Sequence, residues 1–168
     1  MKKIAITLSI IALLLLGVII YGVVNTRLEI VLTAPISTPA KELTSEFERW
    51  VNAHAIDAVQ GVVYDENPIG SIDDYYFNVY GAEIKNNGLI PARMCEMQIS
   101  PHKGDVLSYS SKVSLGKDDN TEISIKPGES ATLQLIMLTK SQGNEAREIT
   151  VSYYIWGKPF FIKDTVRD

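Results

Sequence analysis

Residues 131–139 read ATLQLIMLT, and their alternation decides how the rest of the chain is read. Leu133, Leu135 and Met137 fall on one face of an extended segment, the period of two that a strand with one buried side requires. The pattern recurs on both sides: Ile149, Val151, Tyr153 and Ile155 share a face in 148–156, and Cys95, Met97 and Ile99 share one in 93–100. Further β-type runs occupy 58–64, 75–85, 106–115 and 121–125, with a short tail at 160–163. Asn67-Pro68, Asn87-Gly88, Pro127-Gly128 and Gln142-Gly143-Asn144 separate them with residues suited to chain reversal. About seven strands with no helix between them predict a mainly β, antiparallel two-sheet sandwich over 58–168. An α/β enzyme fold would alternate strands with helices instead.

Upstream, over 25–57, the period changes twice. Leu28, Ile30 and Leu32 alternate with Glu29, Val31 and Thr33, which predicts a short first strand. Thr38 then offers an N-cap hydroxyl, Pro39 suits the first helical position, and Glu42 places negative charge in the first turn. Leu43, Phe47, Trp50, Val51 and His54 recur at intervals of three and four, one apolar stripe along an amphipathic helix over 39–54. That stripe must cover something. Packing over an edge or end of the sheet is the simpler expectation; the alternative makes Phe47 and Trp50 contacts for a partner or the membrane surface.

Further upstream, residues 4–24 form one uncharged apolar run, IAITLSIIALLLLGVIIYGVV, behind Lys2 and Lys3. At about 1.5 Å per residue it reaches roughly 31 Å, the hydrocarbon thickness of a bilayer. Lysines are retained on the cytoplasmic side, so residues 1–3 are expected inside and the sandwich outside a cell membrane crossed once. A cleaved signal would have an apolar core of about 7 to 15 residues followed by a small-x-small site. Here the run is longer, and Asn25, Thr26, Arg27, Leu28 and Glu29 follow it. The only cysteine, Cys95, is far from a lipoprotein position. The run therefore fits an uncleaved anchor better than a cleaved signal.

Setting aside Lys2 and Lys3 from the 16 basic residues leaves 14 against 20 acidic ones, a net charge of −6 for the remainder. With no basic stripe interleaved with aromatics, the composition argues against nucleic acid or anionic lipid as a charge-driven partner. A single cysteine excludes an intramolecular disulfide, so stability must come from a packed core.

Two turn motifs suggest a family. Ala82-Glu83-Ile84-Lys85-Asn86-Asn87-Gly88 with Pro91-Ala92, and Ile125-Lys126-Pro127-Gly128-Glu129-Ser130-Ala131, each introduce an alternating strand. Over about 58–163 this resembles the immunoglobulin-like surface modules of the CARDB and FxLYD type, in which an Asn-x-Gly turn follows one strand and a Pro-Gly-Glu turn introduces a later one. The resemblance implies an immunoglobulin-like sandwich with an adhesion-like role, though paired cysteines and a core Trp of the antibody kind are missing. An anchor plus such a domain is also similar in architecture to the stator-type subunits of archaeal swimming filaments.

Several residue sets could carry chemistry. Cys95 and Met97, with His102 nearby, offer soft ligands that suit Cu(I). Copper-delivery proteins of the cytochrome oxidase assembly type share the anchor-plus-domain plan but use a paired Cys motif, so core packing is the better account of Cys95 and Met97. Asp65, Glu66, Asn67, Asp73 and Asp74, and again Asp118, Asp119, Asn120 and Glu122, gather hard oxygen ligands without calcium-loop spacing. Ser100 to Lys103 and Ser114 to Lys117 match S-x-x-K, but in β-type sequence and without a K-T-G strand. His54 and His102 are the only histidines, which leaves little for acid–base or zinc catalysis. Of the aromatics, alternate members on a strand face outward, so Tyr76 or Tyr154 could build a recognition surface, with cross-strand packing on a solvated face the simpler account. No cofactor is expected. The chain is thus expected to be a non-catalytic extracytoplasmic binding module or accessory subunit of an envelope complex with a protein partner. Copper delivery through Cys95 and Met97, or a filament or pilus-like role, are the alternatives.

Overall fold

A computed structural model describes residues 2–25, 28–59, 61–111, 123–140 and 146–166. Helix α1 (Lys2–Val24) is followed by strand β1 (Leu28–Pro39), a 3-10 turn (Ala40–Leu43) and helix α2 (Thr44–Ala55). Strands β2 (Val62–Val63), β3 (Tyr76–Asn86), β4 (Arg93–Ile99), β5 (Asp105–Ser111), β6 (Ser130–Thr139), β7 (Arg147–Ile155) and β8 (Lys158–Val166) complete the described elements. They form a five-stranded sheet in the order β1-β3-β6-β5-β2 and a three-stranded sheet in the order β4-β7-β8, antiparallel throughout. The expected mainly β sandwich is what the chain adopts.

The alternation read from the sequence sets the core. Leu133, Leu135 and Met137 of one sheet meet Cys95, Met97, Ile99, Ile149, Val151, Tyr153 and Ile155 of the other in a single buried cluster that also holds Tyr80, Ala82 and Ile84. A second cluster lies on the opposite face of the five-stranded sheet, where α2 packs Phe47 and Trp50 on Phe77, Val106, Leu107 and Leu138. One end of the molecule is therefore three layers deep. The stripe is covered within the fold, but over the outer face of the sheet rather than an edge or end of it, and Leu43 lies in the 3-10 turn outside the α register and is exposed.

The structure corrects four boundaries. The chain stays extended through Thr38 and Pro39, which pair with Phe77 and Tyr76; Pro39 leads into the 3-10 turn with no side-chain capping bond, and neither residue starts α2. Thr38 precedes a proline and is biased to extended backbone, and β1 is an edge strand, where a residue without N–H is tolerated. The first strand is accordingly 12 residues long, not short. β1 pairs with β3 along its length, from Leu28 opposite Asn86 to Pro39 opposite Tyr76. Second, 58–64 yields only the two-residue β2, because the chain first closes the C-terminus of α2 through the Ala58 N–H to Ala53 carbonyl bond. Third, Ile125 makes a lone bridge to Ala92 instead of a strand; Thr121 and Glu122 lie outside the described residues. Fourth, the tail at 160–163 is a full nine-residue strand, β8, paired with all of β7. Trp156 is not the last residue of a strand but the first of a two-residue turn, with φ of 49° and Gly157 at 74°. Positive φ at both positions defines a type I′ hairpin, whose twist matches the flanking strands.

Candidate functional site

The sandwich has two ends, and chain order fixes which is which. Leu28, the first residue of β1, pairs with Asn86 at the end of β3. Asn86 sits where the two turn motifs meet. Its side-chain amide donates to the carbonyls of Ile90 (2.8 Å) and Ile125 (2.9 Å), its Oδ1 accepts from the Gly88 N–H, and its backbone exchanges hydrogen bonds with Gly128 and Glu129. The Asn-x-Gly and Pro-Gly-Glu turns thus form one connected end, and Gly128 with φ of 79° takes the conformation its turn needs. This end faces α1. Ile90 reaches the last turn of the helix, where a Cβ on Gly22 would lie 3.3 Å from its Cδ1.

At the far end, Arg147 and Asp105 form a bidentate ion pair, 2.6 and 2.9 Å, with both side chains fully buried. It joins β5 of one sheet to β7 of the other, and Asp105 Oδ2 also accepts from the His102 N–H at 2.6 Å. A guanidinium fork and a carboxylate satisfy one another in this geometry. Around them, Phe47 packs on Tyr75 with ring centroids 5.7 Å apart, and Trp50 stands edge-on to Phe77 at 5.2 Å. Trp50 also donates to Glu46 at 2.7 Å. Phe47 and Trp50, which the sequence offered as partner contacts, are therefore held inside the fold. An open groove of about 290 Å³ runs beside them, lined by Arg49, Trp50, Ala53, Val59, Leu107 and Tyr109.

The other singled-out residues separate. Tyr76 is half-buried at the far end between Pro39 and Thr139, whereas Tyr154 is exposed near α1 between Arg93 and Pro159, so the two build no common surface. Cys95 and Met97 lie in the apolar core, and His102 lies in the β4–β5 turn bonded to Asp105, so the three are not brought together. Burial, with Cys95 beside it, pushes the Tyr153 phenol up and keeps it neutral against Phe160, its stacking partner. His54 donates from Nε2 to the Asp65 carbonyl at 2.9 Å, a packed residue with a satisfied ring. Asp65 accepts from the backbone and side-chain amides of Asn67, and these bonds hold its carboxyl below the usual range. That is an Asx turn, and among the described residues no group of three or more His, Cys, Asp or Glu is placed to hold a metal ion. Ser114, Lys117, Asp118, Asp119, Asn120 and Glu122 lie outside the described residues.

What the sequence did not single out is an exposed apolar set on the outer face of the three-stranded sheet. Met94, Trp156 and Phe161 are 55%, 60% and 65% exposed, with Tyr154 among them at 36%. Met94 occupies a bulge between Arg93 and Glu96, at φ of 50°. The available signal was Trp156-Gly157 between two alternating runs, a two-residue hairpin loop with glycine second.

No family model matches the chain, and no curated protein does. Among solved structures it is similar to a FixG-related protein from Vibrio parahaemolyticus, 12% identical over 65% of this chain and 93% of that one, with a TM-score of 0.34. It is also similar to an uncharacterized beta-sandwich protein from Clostridium difficile 630, 15% identical over 82% of this chain and 85% of that one, with a TM-score of 0.31.

Proposed function

We propose that the protein is a single-pass, membrane-anchored binding module, its sandwich outside the cytoplasm, that serves as a non-catalytic accessory subunit of an envelope complex. One observation carries the reading: Lys2–Gly22 is long and apolar enough to cross a membrane and is exposed from Lys2 to Tyr21, yet α1, ending at Val24, is joined by a three-residue link to a sandwich with a packed core. A helix apolar all round needs an apolar surrounding that the sandwich does not give it. The lysines at its start favour a cytoplasmic N-terminus. The resemblance of the two turn motifs to immunoglobulin-like surface modules supports recognition as the task. Anchoring confines the domain to the membrane surface and raises its effective concentration for a neighbouring component.

The test is extraction of the full-length tagged protein from its native membrane in mild detergent, followed by identification of what co-purifies and measurement of metal on the same sample. A stoichiometric protein partner and a chain still carrying residues 4–24 are expected. A shortened chain in the soluble fraction would make the helix a cleaved signal, and stoichiometric copper lost in Cys95→Ser would replace this reading with metal delivery.

A further inference from the structure

The exposed aromatics lie at the end of the sandwich where the chain leaves α1. Four peptide steps separate Val24 from Leu28, so the first residue of β1 is within about 14 Å of the helix end. Asn86, the partner of Leu28, donates to the Ile125 carbonyl, and Ile125 bridges Ala92, which puts the start of β4 and, through Arg93 opposite Tyr154, the end of β7 at the level of Leu28. Tyr154 pairs with Arg93 one residue beyond Ala92, and the Trp156-Gly157 turn projects past it. Across the hairpin, Pro159 lies opposite Tyr154 and Phe161 opposite Ser152, the same outer face as Tyr154. Leu89, 55% exposed, sits in the loop beside Ile90, the residue that meets α1.

The backbone holds this arrangement at a cost. The first position of a type I′ turn is normally Asn, Asp or Gly; a tryptophan at φ of 49° holds a conformation that an L side chain disfavours. Its ring is nonetheless exposed, so burial within this fold does not compensate. Observed strain of this kind points to a use outside the fold.

Resting on the anchor reading above, we propose that this end of the sandwich lies on the lipid surface, with Trp156 seated at the headgroup–acyl boundary and Tyr154, Phe161 and Met94 beside it. Three arguments favour lipid over a protein occupant. The tether already holds these residues at the membrane. Trp and Tyr are the side chains whose apolar body and polar edge suit that boundary. Arg93 and Lys158, both exposed and flanking Tyr154 and the turn, can extend along the surface with their charges in the headgroup layer. The hairpin would fix the tilt of the sandwich on its anchor and so decide which surface faces a neighbouring component.

The chain contains its own probe. Trp50 is buried at the far end and Trp156 is the only other tryptophan, so the difference between the native chain and Trp156→Asn isolates Trp156. The substitution supplies the residue the turn prefers, so folding is not at risk. Full-length protein is reconstituted into phosphatidylcholine vesicles whose lipids carry bromine near the top of one acyl chain, floated on a density gradient, and its fluorescence recorded. Expected are flotation, loss of more than half of the Trp156 component and a blue shift of its emission, with the Trp50 component unchanged. Flotation with an unquenched, red-emitting Trp156 overturns the proposal and leaves the anchor standing. Blue emission without bromine quenching also overturns it, in favour of a second copy covering the patch. Failure to float overturns the anchor reading and this one with it.

Discussion

The two ends of the sandwich use the same kind of side chain to opposite purpose. At the far end Phe47, Trp50, Tyr75 and Phe77 are packed together and a buried ion pair pins sheet to sheet. At the end nearest α1, Tyr154, Trp156 and Phe161 stand in solvent around a hairpin in strained backbone. Phe77 of the first set and Tyr154 and Phe161 of the second occupy outward positions on their sheets, so strand alternation alone does not separate them. The difference lies in what covers them: α2 closes over the first, and no element of the described chain closes over the second. Outward aromatics are thus a second core where a helix packs over the sheet and an open surface where none does.

The largest expected effect is at the ion pair. Asp105→Ala leaves the guanidinium of Arg147 buried without its carboxylate and should cost about 3–5 kcal/mol, read as a fall in the urea midpoint of the full chain in mild detergent. Changing both residues together, Asp105→Leu with Arg147→Met, should restore most of that loss, because the cost is an uncompensated charge rather than a missing contact. If the double variant is as unstable as the single, the pin does more than satisfy its own charges.

Of the same size is the paired test of the comparison itself. Trp50→Ala opens a cavity beneath α2 and removes the bond to Glu46, for about 3–5 kcal/mol. Phe161→Ala, which removes an aromatic from the exposed end, should change stability by no more than about 0.5 kcal/mol. Equal losses at the two sites would mean that Phe161 is covered in solution and that the ends do not differ as described. Asn86→Ala falls between them. It removes two donated bonds and one accepted bond from a buried position that joins two turns, and should cost about 2–3 kcal/mol by thermal unfolding.

Legibility in the sequence followed the range of the physics. The faces of Leu133, Leu135 and Met137, and of Ile149 to Ile155, could be read because alternation is local and needs no partner to be recognised. Burial of Phe47 and Trp50 was readable as the simpler of two options, since an apolar stripe must cover something. The ion pair was not readable: Asp105 and Arg147 are 42 residues apart, and only the sheet-to-sheet arrangement brings them together. The extended backbone at Pro39 was missed because Thr-Pro also suits a helix start, and pairing of β1 with β3 decides between the two. Tyr154 was found because strand alternation exposes it. Trp156 was missed because an aromatic at a turn position reads as one more strand residue.

The smallest effect separates cost from use at that residue. Trp156→Asn replaces a tryptophan held at φ of 49° with the residue type that adopts this conformation most readily before glycine. If the ring makes no contact that the fold needs, the variant should be more stable than the native chain by about 0.5–1 kcal/mol, a rise of a few degrees in the unfolding midpoint of detergent-solubilised protein. A fall instead would show that the indole packs on its own hairpin, and the strain would then be repaid within the fold. The sign of this small change carries more information than the larger losses above. They establish what holds the sandwich together, whereas a gain here shows that the native residue is kept against the interest of stability, at the end of the sandwich nearest α1.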